Sequence, residues 1–174
     1  MAEGDIQYAM HEGVCCLKFV GEIRYTTGPA SLISRSLDAF LDRLFAAGEF
    51  QDIVIDLSET RSIDSTNLGL LARIATHMLK ERHRKVTIIS TSDNITRTLG
   101  SMGFENVSVL VTQPRRPGAE LAPLPSVSPE EKDRLRLMLD AHRRLMDISK
   151  ANHEKFQDAV RLLEAELKKR PNWR

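Results

Sequence analysis

Three short apolar runs with β-branched residues, separated by stretches of helical pattern, set the limits on what this chain can fold into. They are DIVIDL (52–57), KVTIIS (85–90) and NVSVLV (106–111). The first two read as strands covered on both faces, and NVSVLV as a last strand. Between the first two, a helix starting at Ser65 or Thr66 would bury Leu68, Leu71, Ile74, Ala75, Met78 and Leu79. Between the last two, Ser92 or Asp93 can cap a short helix carrying Ile95, Leu99 and Met102, which Gly103 stops. Strands alternating with helices imply an α/β domain whose later strands are mostly parallel. Upstream, Ile6–Met10 and Val14–Val20 read as strands joined by the turn His11-Glu12-Gly13, so the expected sheet is mixed. GEIRYTTGPASL then breaks the strand pattern. A helix follows, with Leu32, Ile33, Leu37, Phe40, Leu41, Leu44 and Phe45 on one face and Gly48 at its end.

A length of 174 residues suits one such domain plus an appendage, and the bulk properties narrow the function classes. Lys plus Arg (25) nearly balances Asp plus Glu (24), and a net charge of +1 argues for neither nucleic-acid nor membrane binding. No apolar run approaches the ~18–20 residues of a membrane span. MAEGDIQYAMHEG lacks the basic and apolar regions of a signal peptide. Cys15 and Cys16 are adjacent, should point to opposite faces of a strand, and read as reduced residues. A cytoplasmic protein is expected.

The composition changes at Gln113. QPRRPGAELAPLPSVSP holds five of the seven prolines and reads as an extended linker. Ser128-Pro129-Glu130-Glu131 is a helix-start signal, and from there to about Arg170 the chain is charged and helical in pattern. Leu135, Met138, His142, Leu145, Ser149, Asn152, Phe156, Ala159 and Leu163 fall on one heptad-like seam with a polar middle. One long helix and two helices broken near Ser149 both fit, and either has an apolar stripe to bury. The expected division is a domain at 1–112, a proline-rich linker at 113–127 and a helical extension at 128–170.

The stretch IDLSETRSIDSTNLGLL (55–71) poses the functional question, because Asp64, Ser65 and Thr66 crowd one strand-to-helix junction. Capping explains such residues, yet a helix has one N-cap and three candidates stand in a row. A phosphoryl group on Ser65 would meet helix-start N–H groups and the positive end of the dipole, so the fold could tolerate it. It would add ~1.5–2 negative charges beside Asp64, enough to suppress binding on a partner-facing loop. A nucleophilic serine would need a paired base and oxyanion donors. No sequence motif pairs His11, His77, His83, His142 or His153 with Ser65. No GxSxG elbow, phosphate-cradling glycine loop or metal-ligand spacing occurs, so no enzyme, catalytic residue, metal or cofactor is expected.

IDLSETRSIDSTNLGLL resembles the signature of STAS domains, in particular bacterial anti-sigma factor antagonists: a buried strand, an Asp-Ser-[Ser/Thr]-Gly-Leu-Gly turn and a helix. GEIRYTTGPASL resembles the family's Gly-Glu-[Ile/Leu]-Asp segment, and TLGSMGFENVSVL its last helix and strand. The matches cover about residues 5–112. The resemblance implies a STAS-like mixed sheet packed with helices, here with a C-terminal helical extension, and a partner switch controlled by serine phosphorylation. The unphosphorylated form would bind an anti-sigma factor. A serine kinase, often that same factor, would modify Ser65 and break the complex, and a phosphatase would reset it. In related switches a response regulator supplies kinase and phosphatase, in flagellar or biofilm control. Asp64, Thr66, Asn67, Arg24, Thr26 and Thr27 are the implied partner-facing residues, with Asp64 expected to matter to recognition more than to folding.

Two residues depart from the family pattern: Arg24 stands where Asp is usual, and Asn67 where Gly is usual. The alternative function is a STAS binding or scaffold module outside sigma control, regulating another enzyme. For the C-terminal helices three roles are open: packing on the domain, dimerising the chain, or binding a second partner.

Overall fold

The computed structural model describes residues 4–25, 30–114, 116, 118–128 and 133–171. Strand β1 (Asp5–His11) turns through Glu12 and Gly13, both at positive φ, into β2 (Val14–Ile23). Helix α1 (Ala30–Ala47) leads to β3 (Asp52–Ile63), α2 (Ser65–Arg82), β4 (Val86–Ile89), α3 (Asp93–Ser101) and β5 (Ser108–Val111). A two-residue strand β6 (Ala122–Pro123) precedes α4 (Arg134–Met146) and α5 (Lys150–Lys168). The six strands form one sheet in the order β5-β4-β3-β2-β1-β6. β2 to β5 run parallel, while β1 is antiparallel to both β2 and β6. The expected mixed α/β sheet is present, with helices following it at the C-terminal end.

Register explains why the two faces differ. Tyr8, Leu17, Ile55, Ile88 and Leu110 lie in one row across the sheet, and Ala9, Cys16, Val54, Thr87 and Val109 in the next row, on the opposite face. The first face carries the main core, where Leu17, Ile53, Ile55, Leu57, Val86 and Ile88 pack with Leu68, Leu71, Ile74, Ala75 and Met78 of α2. On the second face Cys16, Val54, Asp56 and Ile89 line a shallow depression with Arg116 and Gly118. The described cover there is Arg116 and Gly118, where the apolar runs led us to expect burial of both faces. β5 and β6 stand at opposite edges, so residues 112–121 must span five inter-strand gaps. That is about 24 Å at ~4.8 Å per gap, within the ~33–36 Å that ten extended residues reach. The proline-rich stretch therefore contributes a sheet strand as well as a connection.

Two boundaries differ from the sequence expectation. β2 continues through Gly21-Glu22-Ile23 opposite Thr60, Ser62 and Ile63, with register shifts on either side and Gly21 at φ 80°. A bulged pair absorbs the irregularity that reads as a break. In the extension, Ser128 is not helical, Pro129, Glu130 and Glu131 lie outside the described residues, and the cap of α4 is Asp133, whose side chain accepts from Arg136 N.

The extension is an antiparallel pair, closed by an ion pair between Arg143 and Glu164 (2.6 Å) and another between Arg170 and Asp133. Ser149 caps α5 by accepting from Asn152 N at 3.1 Å. The Asn152 amide donates to Met102 O (2.8 Å) and Leu145 O (2.9 Å), fastening the turn of the pair to the end of α3. The polar middle of the heptad seam is thus a cap and a tie. Burial on α4 exceeds one seam: Leu137, Leu139, Ala141, His142 and Leu145 are all buried, because α4 lies between α2 and α5. Leu139 packs with Val160 and Leu167 of α5, while Leu145, Ile148 and Phe156 join the main core.

Replacing Asn152 with Ala takes the side-chain donor from Met102 O and leaves Leu145 O with backbone donors alone, a loss of about 1–3 kcal/mol. We expect urea unfolding to show that loss, with amide exchange in α4 and α5 rising before exchange in β3.

Candidate functional site

The junction between β3 and α2 is built around one carboxylate. Asp64 is the N-cap of α2, with extended backbone at φ −90° and ψ 172°. Its Oδ1 accepts from Asn67 N at 3.0 Å and from Asn67 Nδ2 at 2.9 Å, and its Oδ2 accepts from Tyr25 N. Asp64 N in turn donates to Ile23 O at 3.1 Å. The cap therefore joins the end of β2 to the start of α2 and satisfies a first-turn N–H that would otherwise lack a partner.

Asn67, standing where the family pattern has glycine, extends this network. Its side chain is fully buried, and its Oδ1 accepts from Ser34 Oγ of α1 at 2.8 Å. Thr66 is 4% exposed. Both side chains are buried in this arrangement, where the family motif led us to expect partner-facing residues. The physical reason lies in the helix start: Asn67 sits where its amide can bond both to the cap and to α1, and α2 is covered nearly all round. Arg24 is exposed and donates through Nε to Ser62 Oγ at 3.3 Å, so the charge-reversed position does face solvent. Thr26 and Thr27 lie outside the described residues.

With Asp64 as the cap, Ser65 has no capping duty. Its Oγ lies 3.1 Å from His142 Nε2 of α4. His142 Nδ1 is 2.7 Å from Met138 O, one turn earlier in the same helix. A carbonyl only accepts, which assigns the ring proton to Nδ1; in the neutral imidazole, Nε2 then accepts from the Ser65 hydroxyl. His142 is 7% exposed and meets the Phe156 ring edge-on at 5.5 Å. Sequence reasoning put His142 on the buried seam and did not connect it to Ser65, 77 residues away.

Two further contacts bring α4 to this junction. The Tyr25 hydroxyl donates to Arg134 O at 3.0 Å, and the Arg134 guanidinium stands 5.7 Å above the Tyr25 ring. Burial is the largest influence on the Tyr25 phenol and raises its pKa, which keeps the hydroxyl protonated as a donor. One turn into α2, Gly69 faces Ala141: a methyl built on Gly69 would sit 2.6 Å from Ala141 Cβ. Any side chain at 69 would drive the two helices apart. Gly69 is the last glycine of the junction motif and Ala141 the small residue beside His142, a pairing that sequence spacing alone does not reveal.

Chemically, the site offers one serine hydroxyl at the first turn of an 18-residue helix, held by an imidazole. Hydroxyl and imidazole alone do not make an acyl-transfer site, which needs oxyanion donors as well. Among the described residues no group of three or more His, Cys, Asp or Glu is placed to hold a metal ion, and no helix is long and apolar enough to cross a membrane.

Residues 5–114 match the model of the STAS domain. The chain belongs to the STAS family. Among solved structures it is similar to one described as "Structure of the Anti-Sigma Factor Antagonist SpoIIAA in its Unphosphorylated Form", at 13% identity, covering 61% of this chain and 86% of that one, with a TM-score of 0.48. Comparison with curated proteins gives no match. In this STAS domain helix α4 packs over the β3–α2 junction.

Because the Asp64 carboxylate caps α2 and also holds Tyr25, Asp64→Ala should destabilise the fold by about 1–3 kcal/mol. Denaturant unfolding measures this directly; a loss below that range would mean that the cap is redundant. Asn67→Gly should weaken the tie to Ser34 and loosen α1 against α2, which amide exchange in α1 reports.

Proposed function

We propose that this STAS protein is a non-enzymatic, cytoplasmic partner switch of the anti-sigma factor antagonist kind, with Ser65 as its phosphorylation site. In this reading 1–112 is the switch domain, 113–127 the connecting segment and 128–170 the helical extension. The unphosphorylated form binds an anti-sigma factor or similar regulator, a serine kinase releases it, and a cognate phosphatase resets it; a response regulator is one source of the last two. Arg24 contributes to the choice of partner, because among the described residues of the expected set it is the exposed one, and it reverses the family's charge.

The single observation that carries the reading is that Asp64 caps α2 and leaves the Ser65 hydroxyl without a structural duty in the backbone. First-turn N–H groups and the helix dipole favour added negative charge at that position. In phosphoryl transfer from a nucleoside triphosphate, the γ-phosphorus–oxygen bridge breaks and a bond to Ser65 Oγ forms. The hydroxyl proton passes to a base on the kinase, and the diphosphate leaves. The added charge of about −1.5 to −2 acts against an interface matched to a neutral serine. Like-charge juxtaposition worth several kcal/mol corresponds to two or more decades of affinity.

The test is phosphate mapping by mass spectrometry after incubation of the full chain with native-host extract and nucleoside triphosphate. Ser65 should carry the phosphate, Ser65→Ala should abolish it, and Thr66→Ala should not. In parallel pull-downs, Ser65→Ala should retain a regulator that Ser65→Asp loses by roughly a hundredfold in affinity. Equal retention by both variants would favour the scaffold reading over a switch.

A further inference from the structure

We infer that the α4–α5 pair is an intramolecular gate on Ser65, with His142 as its latch, and that docking of α4 and a phosphoryl group on Ser65 exclude each other. The inference rests on Ser65 as the acceptor, as proposed above, and adds a layer of control to it: the gate must open before a kinase or a Ser65-reading partner can engage.

The geometry points to exclusion in both directions. A kinase must bring a γ-phosphorus to within about 3–3.5 Å of Ser65 Oγ, in line with the leaving oxygen. His142 already occupies contact distance at 3.1 Å and is itself buried. Its neighbour Ala141 makes the close approach to Gly69, so latch and tightest helix contact lie side by side. In the other direction, phosphorylation replaces the donating hydrogen of Ser65 with acceptor oxygens. The Nε2 lone pair then faces acceptors, and turning the ring to present Nδ1–H would abandon Met138 O. The phosphoryl group also needs space that the imidazole fills. Attraction becomes repulsion at the same contact, and Phe156, packed edge-on against His142, moves with it.

Besides the latch and the apolar packing of Leu145, Ile148 and Phe156, the pair is held to the STAS domain at Tyr25 by Arg134 O, at Gly69 by Ala141, and at Met102 O by Asn152. The first two lie at the Ser65 junction, so a phosphoryl group loosens that side of α4 first and leaves the Asn152 tie to hold the turn near α3. That arrangement is a gate on a hinge.

Amide hydrogen exchange on the full chain, with and without phosphoserine incorporated genetically at position 65, tests the exclusion. We expect amides of α4 to lose protection by roughly ten- to a hundredfold, the scale of losing one buried hydrogen bond and leaving its acceptor unpaired. Amides of β3 should be unchanged. Unchanged α4 protection, or the increase that an imidazolium–phosphate pair would give, overturns the inference.

A second measurement needs no phosphate. Ser65→Cys, in a Cys16→Ser background, gives one reactive thiol, because Cys15 is buried and burial pushes its thiol up to about 12. Adding Ala141→Arg to undock α4 should speed its alkylation by iodoacetamide roughly tenfold or more, and equal rates overturn occlusion. If host extract puts no phosphate on Ser65 even with Ala141→Arg, the proposed function fails, while occlusion by α4 is still decided by the alkylation rates. If extract phosphorylates Ser65 while α4 protection ignores phosphoserine, the gate fails alone.

Discussion

The Asp64 carboxylate is where three elements of this protein are tied together. It takes hydrogen bonds from the backbone at the end of β2, from the first turn of α2, and from Asn67, which passes the connection to Ser34 of α1. A charged acceptor sharing three donors makes stronger bonds than a neutral cap would. Each donor it satisfies would otherwise be buried or half-buried without a partner. Taking the capping role also frees the next residue, so the stability of the junction and the availability of Ser65 have one cause.

The same junction determines how closely the C-terminal pair can approach. Gly69 lets α4 lie against α2 with backbone almost on backbone, and Ala141 answers it with the smallest side chain that still has a Cβ. Burial therefore runs nearly all round α2, through Thr66, Gly69, Leu70 and Ala72 as well as the sheet-facing residues. A helix buried nearly all round keeps little partner surface of its own. Whatever reads this face competes with a segment of the same chain.

The parallel strands were legible because DIVIDL and KVTIIS are unbroken apolar runs, and α1 because its apolar residues keep one helical face. Gly21 hid the end of β2, since a glycine at positive φ inside a bulged pair looks the same in sequence as a strand terminus. The site was half legible. Asp64 and Ser65 follow from the motif, but the motif cannot say which of three candidates caps the helix, and that depends on Tyr25 and Asn67 meeting Asp64 in space. His142 fell on the apolar seam, where a histidine reads as one more buried position; its contact with Ser65 depends on tertiary packing across 77 residues. The family motif marks Thr66 and Asn67 as partner-facing, and it does not show that Asn67 turns inward to Asp64 and to Ser34 of α1.

Strand β6 has a consequence for how α4 can move. Leu124 N is bonded to Ile6 O, and Val127 N to Ser36 Oγ, so the chain is pinned to the far sheet edge and to α1 just before the extension begins. Only residues 128–133 separate Val127 from the first residue of α4, and six extended residues reach about 20 Å. A released α4 would stay within a short radius of its seat, at an effective local concentration on the order of millimolar. A freely diffusing competitor present at micromolar concentration would then need roughly a thousandfold tighter intrinsic binding to hold the same face. The length of that short tether, as much as any contact on the face itself, sets how strong an outside ligand must be.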